Sequence, residues 1–494
     1  MDYLDPQKKR RKKNYLMLMY ALLGIAIAIS TMTLIYLING YSIDRNTGEV
    51  IQNGLIYIDS KPESADVYLN GEKQRGRTDL RMVVPGGTYD ISLYREGYRE
   101  WKHQLILEGG SLRRLTYGRL VPEKIDSEVA VALGGIPTMT TQSPDKRWLV
   151  MSYTDNPLLF GVIDLSRPVL QLDEIILPLD LLESKQAGTW KVIDWSDDNK
   201  TFLAEFRSDA GAEFVLINRE DPTKSINIKK IFPTISFDHV TLNERKNDKV
   251  NLFDSPAKIL YKADVTAKTV ETALTGLTQY KSYGSDSYLY LTEEGSTENH
   301  IDAHLKVGDK DYKLRTLNKS DKYLLDISKL GGAYVVAVSS ASENRAIVYN
   351  DPINAIKNND FSSIPVPTTV LRVENPEQLS ISSDSSCVMV YGNNKVASHE
   401  FEADRSYTIN LANNPDKESE FDWVDGQHLL YVSAGKEYIM DFTGSNQYDL
   451  MSTSAKFGAF ADKDFNYLFS FNIASTDSEQ SYLMRNFMRT KADR

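Results

Sequence analysis

Apolar residues are concentrated in one long run near the amino terminus. No charged residue occurs from position 14 to position 43, and the 24 residues from 15 to 38 are mostly apolar. An α-helix of that length rises about 36 Å, which is enough to cross a hydrocarbon core about 30 Å thick. The pattern therefore predicts a transmembrane helix at residues 15–38.

A basic cluster directly precedes this apolar run. It consists of Lys8, Lys9, Arg10, Arg11, Lys12 and Lys13. Basic residues beside a span hold that flank in the cytoplasm, so we expect a cytoplasmic tail at 1–14, a signal anchor at 15–38 and all later residues outside the membrane. The alternative is a cleaved signal peptide, whose apolar region is normally about 7–15 residues long and ends at a small-residue cleavage site. The continuous run past Ala28 favours the anchor.

After a linker at 39–53, residues 54–122 alternate between short apolar strands and turn residues. Asn70-Gly71 is a strong signal for a two-residue hairpin, and Pro85-Gly86-Gly87 marks a second turn. Six or seven strands in this short segment are typical of a small β-sandwich.

This segment resembles the PEGA family of small β modules. The matching residues are Ser60, Pro62, Glu63, Ala65, Val67, Asn70, Gly71, Gly76, Thr78, Pro85, Gly86, Tyr89, Gly97, Tyr98 and Leu120. The segment departs from the motif at Ser64, which replaces a glycine, at Asp79, and in the turn lengthened by Gly87-Thr88. The resemblance implies an extracytoplasmic accessory module without catalytic residues.

Residues 123–494 contain a repeated pattern: a Ser/Asp turn followed by an apolar strand. The turn aspartates are Asp145, Asp198, Asp384, Asp425 and Asp464, and weaker units lie near Asp248, Asp286 and Gly331-Gly332. Their spacing gives a period of about 46 residues, enough for four short strands per unit, which is typical of β-propeller blades. We therefore expect an all-β chain behind one transmembrane helix, with a seven- or eight-bladed propeller, eight being the favoured number.

The units around Trp195 and around Trp423-Val424-Asp425-Gly426 resemble the repeat of TolB-like and dipeptidyl-peptidase-type propellers. An aspartate in such a turn accepts hydrogen bonds from nearby backbone N–H groups. We expect Asp145, Asp198, Asp384, Asp425, Gly426 and Asp464 to shape the turns. Trp195 and Trp423 are expected to wedge between neighbouring blades.

Few residues indicate catalysis or metal binding. His300, Asp302 and His304 alternate along one predicted strand and so share a face, which makes them a weak metal candidate. The same segment is also explained as a half-buried outer strand with Ile301, Ala303, Leu305 and Val307 directed inward. Neither a GxSxG nucleophile motif nor a complete sialidase box occurs in the sequence, so we expect no catalytic residues and no cofactor.

Composition narrows the functional classes. The net charge is −11, which argues against nucleic-acid binding, and the single cysteine, Cys387, allows no disulfide within the chain. We expect a single-pass cell-envelope protein that binds a protein or glycan ligand without catalysis. The alternatives are an envelope assembly or transport accessory factor and, with weaker support, a propeller hydrolase.

Overall fold

The computed structural model describes residues 6–43, 48–153, 156–184, 186–358, 364–473 and 481–494. The chain divides into two compact units, Met1–Lys124 and Ile125–Arg494. Each unit is described separately below.

The apolar run forms a single helix, α1, over Pro6–Ile38. Its segment Arg10–Tyr36 has a mean hydropathy of 2.1 in its most apolar window and is long and apolar enough to cross a membrane. The helix begins earlier than the predicted residue 15 because lysine and arginine are good helix formers and proline is favoured in the first turn. Most of the predicted tail is therefore helical, while its residues 1–5 lie outside the described part of the chain.

Two four-stranded sheets follow α1 in the first unit. The first contains β1 (Tyr41–Ile43), β2 (Val50–Lys61), β5 (Leu80–Pro85) and β8 (Leu112–Arg119). The second contains β3 (Asp66–Leu69), β4 (Glu72–Arg77), β6 (Gly87–Tyr94) and β7 (Trp101–Leu107). Their inner faces enclose one apolar core that includes Ile56, Val67 and Trp101.

The predicted linker at 39–53 is not a free connection. Strand β1 lies within it and pairs with β2, whose first residues also belong to it. Residues 44–47 of the linker lie outside the described part of the chain. This pairing adds one strand to the six or seven expected.

The described residues of the second unit form eight four-stranded sheets. Sheet 1 contains β10 (Met139–Gln142), β11 (Trp148–Ser152), β12 (Leu159–Asp164) and β13 (Leu172–Ile176), and sheet 2 contains β14 (Gly188–Trp195), β15 (Thr201–Ser208), β16 (Gly211–Asn218) and β17 (Ile226–Asn227). Sheet 3 contains β18 (His239–Leu242), β19 (Lys249–Asp254), β20 (Ile259–Asp264) and β21 (Thr269–Thr275). Sheet 4 contains β22 (Leu277–Tyr283), β23 (Ser287–Thr292), β24 (His300–Val307) and β25 (Lys310–Asn318).

Sheets 5 to 8 continue the same antiparallel order. They are β26 (Tyr323–Leu330), β27 (Ala333–Ser340), β28 (Arg345–Asn350), β29 (Thr369–Arg372); β30 (Gln378–Ile381), β31 (Cys387–Gly392), β32 (Lys395–Glu400), β33 (Arg405–Asn410); β34 (Asp422–Trp423), β35 (His428–Ser433), β36 (Lys436–Asp441), β37 (Tyr448–Ser452); and β38 (Ala459–Ala461), β39 (Tyr467–Ile473), β40 (Ser481–Phe487) with β9 (Ser127–Leu133). Short helices connect some strands: α2 (Ile228–Ile231), α3 (Pro352–Lys357) and 3₁₀ turns at Pro222–Lys224, Ala341–Glu343 and Lys491–Asp493.

Sheet 8 closes the array because its fourth strand comes from the start of the unit. Strand β9 pairs antiparallel with β40, joining Leu133 to Ser481. The Asn486 amide donates to the Leu468 carbonyl at 2.8 Å and to Ser470 Oγ at 2.9 Å, and its oxygen accepts from Ser127 Oγ at 2.7 Å. One buried side chain thus ties three strands of the closing sheet. Sequential sheets closed in this way form a β-propeller.

Apolar clusters between successive sheets provide the core. The cluster between sheets 1 and 2 includes Val150, Phe160, Trp195 and Phe202, each less than 5% exposed. The first strands of successive sheets lie side by side, as β10 with β14 and β26 with β30 do. The first strands and the turns that follow them therefore surround the centre of the array.

Candidate functional site

One cavity of the propeller has a volume of about 970 Å³. It is lined by the first strands of sheets 2 to 5 and by the turns that follow the first strands of sheets 2, 3, 4 and 6. Its charged lining residues are Asp194, Asp197, Glu244, Arg245, Lys246, Lys281, Lys329 and Asp384. We refer to this space as the central cavity.

All eight predicted turn positions fall between the first and second strands of a sheet. In sheet 1, Ser143 Oγ donates to Asp145, and the Asp145 carboxylate also accepts from the Arg147 backbone N–H at 3.1 Å. Asp198 and Asp384 accept from the backbone N–H two residues later at 2.9 and 3.0 Å. These aspartates shape the hairpins that border the central cavity.

The turns of sheets 7 and 8 have a different pattern of hydrogen bonds. In sheet 7, Asp425 accepts from the backbone N–H groups of Gln427 and His428, both at 2.8 Å. A Cβ on Gly426 would lie 1.9 Å from the Asp384 carboxylate of sheet 6, so only glycine fits there. In sheet 8 the carboxylate that holds the turn is Asp462, which accepts from Tyr467 N at 2.8 Å. Asp462 occupies the position of the serine in the other turns, and Asp464 lies two residues later, where those turns have their aspartate.

The two tryptophans lie between consecutive sheets. Trp195 is 3% exposed, and its indole N–H donates to Thr141 Oγ1 of sheet 1 at 2.9 Å. The Trp423 indole N–H donates to Ser380 Oγ of sheet 6 at 3.0 Å. In both cases a first-strand side chain of one sheet binds a polar atom on the first strand of the sheet before it.

Two partly buried aspartates on first strands face cations that line the central cavity. Arg245 Nη2 lies 3.2 Å from Asp194 Oδ1, and Arg245 Nε lies 3.4 Å from Asp197 Oδ1. Lys281 Nζ lies 3.9 Å from Asp326 Oδ1, while Asp326 Oδ2 accepts from the Ile381 backbone N–H at 2.7 Å. Burial raises the pKa of both Asp194 and Asp326, and the neighbouring cations oppose that rise.

Lys329 differs from the other cations of this cavity. Its Nζ lies 4.3 Å from the centre of the Tyr334 ring and 5.8 Å from that of Tyr283. Among the described residues no carboxylate lies within salt-bridge distance of Lys329. Its ammonium group is held by aromatic faces and is available to an anionic group of a ligand.

Sequence reasoning missed most of the residues that line this cavity. Arg245, Lys281 and Lys329 belong to the weaker repeat units, where the turn pattern gave little guidance. One signal was present: an aspartate directly precedes each wedge tryptophan, as Asp194 and Asp422 do.

The metal candidate is not assembled. Strand β24 is the third strand of sheet 4, not an outer one, and Asp302 is buried, with its carboxylate 2.6 Å from both Lys313 Nζ and Thr316 Oγ1. His304 Nδ1 contacts Asp311 at 3.2 Å, and His300 Nδ1 contacts Thr297 Oγ1 at 3.0 Å. Each of the three side chains has its own partner, and the described residues contain no group of three or more His, Cys, Asp or Glu placed to hold a metal ion.

The single thiol is buried as well. Cys387 is 0% exposed in β31, and burial raises its pKa far above the usual range for a thiol. A buried, protonated thiol is a weak nucleophile.

Comparison with known proteins bears on the first unit directly. Residues 53–117 match the family model described as the PEGA domain. This segment is a PEGA domain. No curated protein matches the chain.

The PEGA domain uses its motif residues for local structure. Asn70 and Gly71 both have positive φ, 50° and 81°, as a type I′ hairpin requires, and Asn70 Oδ1 accepts from Asp90 N at 2.8 Å. The Tyr89 hydroxyl donates to the Pro85 carbonyl at 2.6 Å. Most of the remaining motif positions lie in turns or in the core: Pro62, Glu63, Ala65, Gly86, Gly97 and Tyr98. Gly76 lies within strand β4.

Solved structures similar to the chain include three with low identity. They are a functionally unknown protein from Desulfotomaculum acetoxidans (10% identical, 75% of this chain, 94% of that chain, TM-score 0.36), Kluyveromyces lactis Hsv2p (10%, 62%, 92%, 0.38) and the Myceliophteria thermophila Cps50 (Swd1) beta-propeller domain (8%, 74%, 100%, 0.37). The propeller architecture of this chain rests on its own sheet order and ring closure.

Proposed function

We propose that the chain is a non-catalytic binding protein of the cell envelope, anchored by α1, with the central cavity of the propeller as its ligand site. The carrying observation is the 970 Å³ volume bordered by five of the eight sheets of the described propeller. A loop of a partner protein or a short glycan fits a space of this size.

The lining favours a polar ligand. Acidic and basic side chains both line the cavity, and Tyr280 and Tyr283 add aromatic surface. Lys329 offers a cation to an anionic group, while Asp194 and Asp326 are already engaged with Arg245 and Lys281. Such a mixture is suited to hydrogen bonding and stacking with a protein segment or sugar rings.

The membrane anchor determines on which side of the membrane the central cavity lies. The six basic residues beside the apolar run favour an uncleaved helix with a cytoplasmic amino terminus. The PEGA domain and the propeller would then lie outside the membrane, where protein and wall-glycan ligands are both present.

Site-specific photo-crosslinking in intact cells tests this function. A photoreactive phenylalanine at Tyr283, inside the cavity, should yield a crosslinked adduct, and one at Tyr312, on the outer strand of the same sheet, should not. Lys329→Glu should reduce the Tyr283 adduct several-fold. Digestion with protease or glycan hydrolase then identifies the ligand class. Equal adducts at both positions, or none at Tyr283, would contradict the proposal.

A further inference from the structure

A second, smaller cavity lies between sheets 7 and 8 and has a volume of about 210 Å³. It is distinct from the central cavity and shares no lining residue with it. Its lining residues with polar or aromatic side chains are Glu418, Ser419, Glu420, Asp422, Tyr431, Glu437, Lys456 and Phe457. At about 30 Å³ per water molecule this is room for a small group only.

A buried carboxylate oxygen on the wall of this cavity has no partner. Glu437 is 1% exposed, and its Oε2 makes no hydrogen bond within the part of the chain that the structure describes. A Cβ on Gly458, another lining residue, would lie 3.5 Å from Glu437 Oε2, which places this oxygen beside the cavity wall. The Tyr431 side chain on the neighbouring strand lies on the opposite face of the sheet, where it packs against Phe421 and Tyr438. Buried polar atoms are normally paired, so Glu437 Oε2 indicates a missing partner.

The charge balance shows which partner is missing. Four carboxylates line the cavity against one ammonium, that of Lys456, which donates instead to the Thr138 carbonyl at 2.7 Å. Burial and the nearby Asp422 carboxylate raise the pKa of Glu437 well above its usual range. Asp422 is open to the cavity yet surrounded by protein, which raises its pKa to about 6, with a smaller contribution from Glu420. Without a bound cation Glu437 therefore holds a proton.

The lining distinguishes between kinds of cation. A metal ion needs several oxygen ligands around one point, and no such group of His, Cys, Asp or Glu occurs among the described residues. An ammonium group donates up to three hydrogen bonds in separate directions and is attracted to aromatic faces, and Phe457 is the aromatic residue whose ring lies at this cavity. We propose that this cavity binds a primary ammonium group, carried by a small amine or by a lysine side chain of a peptide.

Binding should release a proton. Glu437 is neutral in the empty cavity, and an ammonium beside Oε2 favours the carboxylate, so the proton passes to the buffer while the ammonium keeps its own. This prediction is independent of the function proposed for the central cavity.

Calorimetric titration of the full-length chain in detergent with 1,5-diaminopentane tests the proposal. The observed heat should vary with the ionisation enthalpy of the buffer, as expected for release of about one proton per ligand. Glu437→Gln should lower affinity at least tenfold and abolish the proton release, whereas Glu402→Gln, on an exposed turn of sheet 6, should change neither. Tyr431→Phe, on the opposite face of the sheet, should leave the affinity unchanged.

The source of the ammonium group follows from a second titration. The ligand is a peptide if a lysine-containing peptide binds more tightly than the diamine and if acetylation of its lysine abolishes binding. The ligand is a small amine if the peptide and the diamine bind with equal affinity. The proposal is overturned if folded Glu437→Gln binds the diamine as the wild type does, or if calcium binds more tightly than the diamine.

Discussion

Two cavities of the propeller are lined by carboxylates and tyrosines. They differ in whether these polar groups have hydrogen-bond partners. Beside the central cavity, the Asp326 carboxylate accepts from two backbone N–H groups and faces the lining residue Lys281, and the Tyr280 hydroxyl pairs with Thr241 Oγ1 at 2.9 Å. In the cavity between sheets 7 and 8, Glu437 Oε2 has no partner among the described residues.

This difference distinguishes polar groups that stabilise the fold from polar groups that lack a partner and are suited to bind a ligand. Asp326 joins sheet 5 to sheet 6 through the Ile381 N–H, so its charge belongs to the fold. Glu437 joins nothing through Oε2 among the described residues, so its burial costs free energy that a bound cation would recover.

Substitutions of Asp326 and of Glu437 should differ most in their effect on the free energy of unfolding. Asp326→Ala leaves the Ile381 N–H without its acceptor and should lower the free energy of unfolding by about 2 kcal/mol. Glu437→Gln keeps the shape of a neutral carboxylic acid and should leave the free energy of unfolding unchanged or slightly raised. Chemical denaturation of the two variants beside the wild type measures both effects. A comparable loss in both variants would show that Glu437 is structural.

The dependence of stability on pH should also differ between paired and unpaired acids. The folded-state pKa of Glu437 is raised, so its favourable contribution is complete below the unfolded value of about 4.5 and is lost as pH rises. Asp164 provides the opposite case: Arg147 donates to both of its oxygens, at 3.0 and 2.7 Å, and lowers its pKa to about 2. Its contribution is present above about pH 4 and is lost as pH falls toward 2.

Thermal unfolding across pH 3–8 tests these signs. Glu437→Gln should gain stability relative to the wild type as pH rises above 4.5. Asp164→Asn should lose about 1 kcal/mol at pH 7, a value reduced by solvent screening of the half-exposed Arg147, and the loss should shrink below pH 4. Parallel curves for the wild type and Glu437→Gln would show that Glu437 is not neutral in the folded state.

Sequence reasoning reached the architecture but not the cavities. A turn residue every 46 positions marks the hairpins correctly even where the motif is weak, because the turn must reverse the chain whatever its neighbours are. Asp462 was missed in favour of Asp464 since either carboxylate fits the pattern and only the pairing with Tyr467 N decides. Glu437 and Tyr431 were missed because they lie on strands β36 and β35, where nothing in the alternation shows that a hydroxyl or carboxylate will lack a partner.

The smallest expected effect concerns the two tyrosine hydroxyls. Tyr280→Phe removes a hydrogen bond to Thr241 and should cost about 0.5–1 kcal/mol, a typical net value for one such bond. Tyr431→Phe removes a buried hydroxyl that has no partner among the described residues, so it should cost nothing or stabilise slightly, while the stacking on Tyr438 at 5.3 Å is retained. Denaturant midpoints measured at equal slope compare the variants. Addition of 1,5-diaminopentane should then stabilise the wild type and Tyr431→Phe equally, because the Tyr431 ring lies on the face of the sheet opposite Glu437. A smaller stabilisation of Tyr431→Phe would place the amine on the face that Tyr431 occupies and would contradict a site at Glu437.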